Sequence, residues 1–344
     1  MKFTFLLIIV ILAGTLALAG CQTASTPTAN SAPPAPLANT ASPSATDTLT
    51  STVPESTSAA TPTVSADSPT PITVTDDIGR SVIFKSPPQR IISLAPSNTE
   101  LVYALGLQDR LIGVTTYDNY PPEVKDKPQV SDFSNVDVEK VVALHPDLIL
   151  AADIQKADVV PALEKLGINV IVFDPVTVEG VFNDLTLLGE ISGKSQQAAA
   201  LVASLSQRVK AITDKVSVAG APYPRILYVT WYDPIWTAGD NTMIGDLFKK
   251  VGATNIAADV SGYGTISLEN VIQRNPQIIV VMSSMGDQNQ SLNWVNTEPR
   301  LKATDALKNQ QVYEINSDIF GRTTPRIVDG LEQLAKIVHP DLFK

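Results

Sequence analysis

The chain is poor in the residues on which several kinds of chemistry depend. One cysteine in 344 residues excludes an intrachain disulfide framework and any zinc site built on thiolates. Two histidines leave no material for a His-rich metal site. Both stand in the same setting, Leu144-His145-Pro146-Asp147 and Val338-His339-Pro340-Asp341, which reads as a helix end punctuated by proline. Positive charge is scarce too. A formal net charge of −10 and the lack of any basic run argue against nucleic acid, whose affinity comes mostly from Lys and Arg on phosphates. There is no G-x-S-x-G elbow and no histidine in a general-base setting, so a secreted hydrolase is disfavoured. Aromatic residues make up only 6%, against 44% hydrophobic residues, but these averages hide three unlike segments.

The first segment is an address. Lys2 precedes an apolar run from Phe3 to Ala19 that is interrupted only by Thr4, Gly14 and Thr15, the pattern of a secretory signal. The run is short for the ~20 residues a membrane span needs. It ends in Leu18-Ala19-Gly20-Cys21, which resembles a bacterial lipobox. There, small residues precede a cysteine that is acylated and becomes the new N-terminus. The Cys21 thiol would carry diacylglycerol through a thioether, and several acyl chains give stable anchoring where one would be marginal. The mature chain is therefore expected outside the cytoplasm, lipid-anchored to the cell membrane.

Residues 22–71 form the second segment. Thirty of these 50 residues are Ser, Thr or Pro, another 10 are Ala, and none is Lys or Arg. Such a stretch cannot bury enough apolar surface to offset its ordering entropy. It reads as a disordered tether with a root-mean-square span of roughly 35–42 Å. A tethered body meets a membrane partner at raised effective concentration.

The third segment is large enough for a sizeable core. Ile72–Val74 and Ser81–Phe84 flank Asp76-Asp77-Ile78-Gly79 and read as a hairpin. Short apolar runs then alternate with helical patterns, which means βαβ units and parallel sheet. A long helical pattern spans Lys194 to Lys215, with Ala198, Leu201, Val202, Leu205, Val209 and Ile212 at three- and four-residue spacing. The β/α alternation resumes at Arg225 and closes with a helix from Pro325 to Val338.

The two halves repeat each other. Val136–Leu150 aligns without gaps on Ile266–Val280, with identical Glu139 and Glu269, Val141 and Val271, Pro146 and Pro276, Ile149 and Ile279. The expected fold class is α/β, with two homologous lobes of parallel-rich sheet joined by one long bridging helix. The expected boundaries are a leader at 1–21, the tether at 22–71, an N-terminal lobe at 72–193, the bridge at 194–216 and a C-terminal lobe at 217–344. A cleft between two such lobes is a default ligand site. Both aligned segments open on a helix N-cap, Asp137 and Ser267, with Glu139 and Glu269 in the first turn. Complementing the helix dipole would account for an acid there at ~0.3–1 kcal/mol.

The run Arg90-Ile-Ile-Ser-Leu-Ala-Pro-Ser-Asn-Thr-Glu-Leu-Val-Tyr-Ala-Leu-Gly106 resembles the opening strand and helix of the periplasmic cobalamin-binding proteins. These belong to the ABC-importer receptors for corrinoids, haem and ferric siderophores. Ile112–Pro122, Val136–Ala151, Gly262–Val281 and Ser317–Ile327 continue the likeness, which spans essentially all of 88–340. The resemblance implies a receptor without catalytic activity or cofactor, holding its cargo between the lobes. It implies an ABC permease dimer with its cytoplasmic ATPase as partner, and a monomeric receptor. It also implies that Glu139 and Glu269 dock on permease arginines, where such rim charges set orientation and on-rate.

Carried over, the corrin-contacting positions are Ser97, Tyr117, Phe133, Trp231, Trp236, Tyr263, Asp318 and Arg322. The residue types suit a puckered apolar disc fringed with amides. Aromatic faces cover the disc, and a carboxylate and a guanidinium serve amide NH2 and C=O. Asp318 and Arg322 are close enough in sequence to pair. Trp231 and Trp236 flank Tyr232-Asp233-Pro234, a turn after a strand end, where α/β proteins bind ligands. Trp294 reads as ordinary packing. Departures from the cobalamin pattern stand at Ala151-Ala152-Asp153, where a tryptophan is frequent, and at Phe133 and Tyr263. A cobalamin-like corrinoid leads. A ferric siderophore comes second, with only Arg322 and Arg326 as candidate cations, and haem third, since it would want an axial His or Tyr and neither histidine qualifies.

Overall fold

The computed structural model describes residues 70–132, 135–283 and 289–344. The leader, Cys21, the tether as far as residue 69, and Phe133 lie outside the described residues. The described chain starts with an antiparallel hairpin, β1 (Ile72–Thr75) and β2 (Ser81–Phe84), with Ile72 opposite Phe84. Asp76 closes its turn by accepting from the backbone N–H of Arg80 at 2.8 Å and from its guanidinium.

Strands and helices then alternate: β3 (Ile91–Ser93), α1 (Pro96–Ala104), β4 (Leu111–Thr115), β5 (Gln129–Ser131), α2 (Val138–Ala143), β6 (Leu148–Ala152), α3 (Val159–Lys165) and β7 (Asn169–Phe173). The five strands are all parallel, in the order β5-β4-β3-β6-β7. Next comes α4 (Val178–Ser192), a helix that the pattern reading passed over. Thr177 caps it by accepting from the Gly180 N–H, and Gly193 ends it at φ 73°. The chain then enters α5 (Ser195–Ser217). Gly189 allows α4 and α5 to close on each other, because a methyl there would lie 2.4 Å from the Ala198 Cβ.

The second half contains β8 (Arg225–Val229), β9 (Trp231–Tyr232), β10 (Ile235–Ala238), α6 (Met243–Lys250), β11 (Thr254–Asn255), β12 (Tyr263–Thr265) and α7 (Leu268–Arg274). It continues with β13 (Ile278–Ser283), α8 (Gln290–Thr297), α9 (Asp305–Lys308), β14 (Val312–Asn316), α10 (Ser317–Phe320) and α11 (Ile327–Val338). A parallel sheet runs β11-β8-β13-β14. A separate antiparallel sheet, β12-β10-β9, was not foreseen; Asp233-Pro234 is the turn of its β9–β10 hairpin.

Both parallel sheets are covered on both faces, as the period-2 pleat requires. In the first, Ile92, Ile149, Val170 and Val172 face one apolar cluster, while Ile91, Leu148, Leu150 and Ile171 face another. That second cluster does not stop at the lobe. It continues through Leu205, Val209, Ile212 and Val216 of α5 to Ile226, Tyr228 and Val280 of the other sheet. One hydrophobic core therefore passes through both halves along the bridging helix. Ion pairs reinforce the seam: Arg208 on α5 reaches Asp329 on α11 at 2.6 Å, and Lys250 on α6 reaches Glu179 on α4 at 2.7 Å. Among the described residues no helix is long and apolar enough to cross a membrane.

Candidate functional site

In parallel α/β sheets the ligand crevice lies outside the carboxyl ends of the strands. A cavity of about 930 Å³ occupies that place between the two lobes here. Its size is at the upper end of the ~300–1,000 Å³ usual for small-molecule sites. The N-terminal lobe supplies Ser97 from the start of α1, Tyr117 from the loop after β4, Phe173 at the end of β7, and Asp174 to Val176 just beyond it. The C-terminal lobe supplies Thr242 and Met243 at the start of α6, Tyr263 of β12, Met282 of β13, and Asp318 and Arg322 around α10.

Five of the carried-over ligand positions thus line one cavity: Ser97, Tyr117, Tyr263, Asp318 and Arg322. Tyr117 and Tyr263 are half-exposed, at 47% and 52%, so ring surface is free on both sides. Trp231 and Trp236 do not line it. They stand opposite each other across β9 and β10, with Trp231 tilted against Tyr232 at 5.0 Å. Cross-strand partners and alternate residues share a sheet face. Tyr263 pairs with Ala238, two residues beyond Trp236, so both tryptophans lie on the face that carries Tyr263. Trp294 packs partly buried against the core of its lobe and stacks on Tyr232 at 5.9 Å.

The polar wall is an interlobe network. Arg322 pairs with Asp318 at 2.8 Å. Asn119 ties the two, accepting from Arg322 at 2.7 Å and donating to Asp318 at 2.9 Å. Behind them Glu100, on α1, accepts from Arg322 at 3.2 Å and from Nε of Arg326 at 2.7 Å. Arg326 lies over the Tyr120 ring, 3.9 Å from its centroid. The sequence reading did not single out Glu100, Asn119 or Tyr120. A lone acid among the residues of α1 was the one available signal.

On the other side of the cavity, Asp174 is pushed above the usual carboxylate range by burial, then by the charges of Asp153 and Asp77. Asp118, behind Tyr117, is also raised by burial, although the Thr115 hydroxyl and backbone N–H donate to it. No cluster of metal-ligating side chains occurs among the described residues. His145 takes φ 48° just past the end of α2, and His339 closes α11 with Nε2 2.7 Å from the Val251 carbonyl oxygen.

Glu139 and Glu269 occupy matching sites outside the cleft. Asp137 caps α2 by accepting from the Lys140 N–H at 3.0 Å, and Ser267 caps α7 by accepting from the Asn270 N–H at 3.1 Å. Both glutamates follow in the first turn and are exposed. Arg300 approaches Glu269 at 3.8 Å.

Residues 91–319 match the periplasmic binding protein family, and the chain belongs to it. Within that family it falls among the substrate-binding proteins of ABC importers in the corrinoid, haem and siderophore group. Such proteins work outside the cytoplasm, carry a transported ligand rather than a catalytic cofactor, and are not enzymes. An uncharacterized ABC transporter substrate-binding lipoprotein of Bacillus subtilis, YvrC, is 35% identical over 80% of this chain and 87% of its own length. A cobalamin-binding protein of Halobacterium salinarum is 31% identical over 78% of this chain and 74% of its own. Among solved structures, the vitamin B12-binding protein BtuF of Vibrio cholerae has a TM-score of 0.64 at 28% identity, covering 73% of this chain and 97% of that one. A periplasmic heme-binding protein of Pseudomonas aeruginosa has a TM-score of 0.66 at 28% identity, covering 74% and 94%.

Proposed function

We propose that this chain is the lipid-anchored receptor of an ABC importer and that its cargo is a cobalamin-like corrinoid, held between the lobes and handed to a permease dimer. The observation that carries the reading is the cavity itself. Its volume of about 930 Å³ leaves room for a large ligand, Tyr117 and Tyr263 come from opposite lobes, and one wall offers the paired Asp318 and Arg322. Aromatic rings cover an apolar disc, and the charged pair serves the fringe of amides. The cobalamin-binding names of relatives support the same cargo. A ferric siderophore or haem is the second reading, supported by the heme-binding protein of like fold.

Anchoring through Cys21 is supported by Leu18-Ala19-Gly20-Cys21 and by the lipoprotein name of the Bacillus relative. Glu139 and Glu269 are the docking carboxylates, one per lobe. The shared core and the single long bridge keep the lobes nearly fixed, so free and loaded forms should give almost the same X-ray scattering curve. The deciding experiment titrates the chain with cyanocobalamin, cobinamide, haemin and a ferric siderophore while tryptophan fluorescence is followed. Saturable quenching by the corrinoids supports the reading. Corrinoid silence with a response to haemin or the siderophore replaces it with the second.

A further inference from the structure

Glu100 and its partners settle the charge of the cleft. The Glu100 side chain is 2% exposed, and a carboxylate this deep persists only when paired. Arg326 grips it with two guanidinium nitrogens, Nε to Oε2 at 2.7 Å and Nη2 to Oε1. Arg322 reaches the same Oε1 at 3.2 Å. The other edge of Arg322 is taken by Asp318. Among the described residues that line the cleft, Arg322 is the one cation, while Asp174 and Asp318 are acids. Two guanidinium charges thus face two carboxylates, Glu100 and Asp318, with the acid Asp174 across the cavity, and both guanidiniums are engaged from the buried side before any ligand arrives. A polyanion entering the cleft would meet acids and no free cation. A neutral, amide-rich molecule would meet a satisfied pair that still has edges to donate and accept.

We infer that Glu100 is a specificity-determining positioning residue, which holds Arg322 and Arg326 from behind and so makes the cleft select neutral over polyanionic cargo. This rests on the receptor reading but concerns charge, so it is tested with ligand pairs matched in shape. One pair is cyanocobalamin and its tricarboxylic acid, made by hydrolysing three propionamides. The other is a neutral ferric tris-hydroxamate and a trianionic ferric tris-catecholate.

The full chain should bind the neutral member of a pair more tightly by about tenfold or more, and Glu100→Gln should cut that preference about tenfold. One unit charge acting over several ångströms in a poorly hydrated wall is ample for this. The effect should shrink as salt rises, and Glu100→Asp should keep the wild-type ratio. A structural role alone would weaken both members equally and leave the ratio unmoved, which would overturn the inference. Should Glu100→Gln not fold, the wild type still decides, because equal affinity for the two members of a pair is equally fatal. Failure of both corrinoids with a charge preference in the iron pair would overturn the corrinoid reading and keep this one.

Discussion

The two lobes share a scaffold and differ where they face the cleft. Their sheets run β4-β3-β6-β7 and β11-β8-β13-β14, the same order once the repeats are superposed, with β5 added to the first. Into the second is inserted the antiparallel sheet that carries Trp231, Trp236 and Tyr263. Around the cavity the first lobe presents Ser97, Tyr117 and Asp174, and the second presents Tyr263, Asp318 and Arg322. The duplicated frame was held at the strands and at the amino ends of α2 and α7. The loops at the carboxyl ends, free of that hydrogen-bonding duty, specialised. An asymmetric ligand therefore meets two different walls, whereas a paired partner would meet two like carboxylates.

The largest expected effect tests the likeness. Reversing Glu139→Lys and Glu269→Lys together should abolish uptake and leave ligand affinity unchanged, because both side chains are exposed and outside the cavity. Each single reversal should leave partial transport. Uptake assays on whole cells check this, and normal transport by the double variant would remove the docking role.

The next effect tests a difference between the lobes. Asp184, buried on α4 beside Asp77, is pushed up to about 9 by burial, then by the charge and hydrogen bond of Asp77 and the charge of Asp174. The folded chain therefore keeps a proton that the unfolded chain releases above about pH 4. Stability from this group is greatest at low pH and falls as pH rises through that window, by up to about 1.4 kcal/mol per unit. The wild type should melt at a lower temperature at pH 9 than at pH 5, and Asp184→Asn should flatten the difference. A slope that survives in the variant would belong to other groups.

Smaller again is the loss from one wall. Asp318→Ala unpairs one side of Arg322 and leaves the Asn119 amide without its acceptor. Ligand binding should weaken by about 1–3 kcal/mol. Calorimetric titration reads it, and unchanged affinity would take Asp318 out of the site.

Local signals carried the frame far. The Ser81–Phe84 strand was legible from the turn residues before it, and the helix from Lys194 from its clean apolar spacing. In α4 the same spacing exists at Val178, Val181, Phe182, Leu185, Leu188 and Ile191, but Gly180 and Gly189 obscured it. Glycine weakens a helical reading, and here Gly189 serves the approach to α5. At the site, Asp318 and Arg322 were legible as a pair because they are four residues apart. Glu100 meets Arg322 and Arg326 across 222 and 226 residues, and no local pattern encodes such a meeting. For Trp231 and Trp236 the turn between them could be read from Asp233-Pro234. The face of the sheet and its distance from the cleft depend on β12, almost thirty residues on.

The smallest effect compares the lobes at one matched arginine. Arg90 and Arg225 occupy equivalent places at the start of β3 and β8, and each closes the helix that precedes its neighbouring strand. Nε of Arg90 donates to the His145 carbonyl at 3.0 Å, and Nε of Arg225 to the Asn275 carbonyl at 2.8 Å. His145 and Asn275 share a left-handed backbone, φ 48° and 46°, which leaves those last carbonyls turned outward and in need of a donor. The backbone N–H of each arginine is held by the side chain after the shared proline, Asp147 at 2.8 Å and Gln277 at 3.1 Å. The Nη2 of Arg225 reaches Asp305 at 3.3 Å, where that of Arg90 instead donates to the Leu144 carbonyl at 2.6 Å. Either arginine changed to alanine should cost about 1–2 kcal/mol for the lost charged donors to carbonyls. The two losses should agree within about half a kcal/mol, since the half-exposed ion pair of Arg225 and the extra carbonyl bond of Arg90 each add little. Paired urea titrations measure both, and a clear difference between them would mean that the two helix ends are not held in the same way.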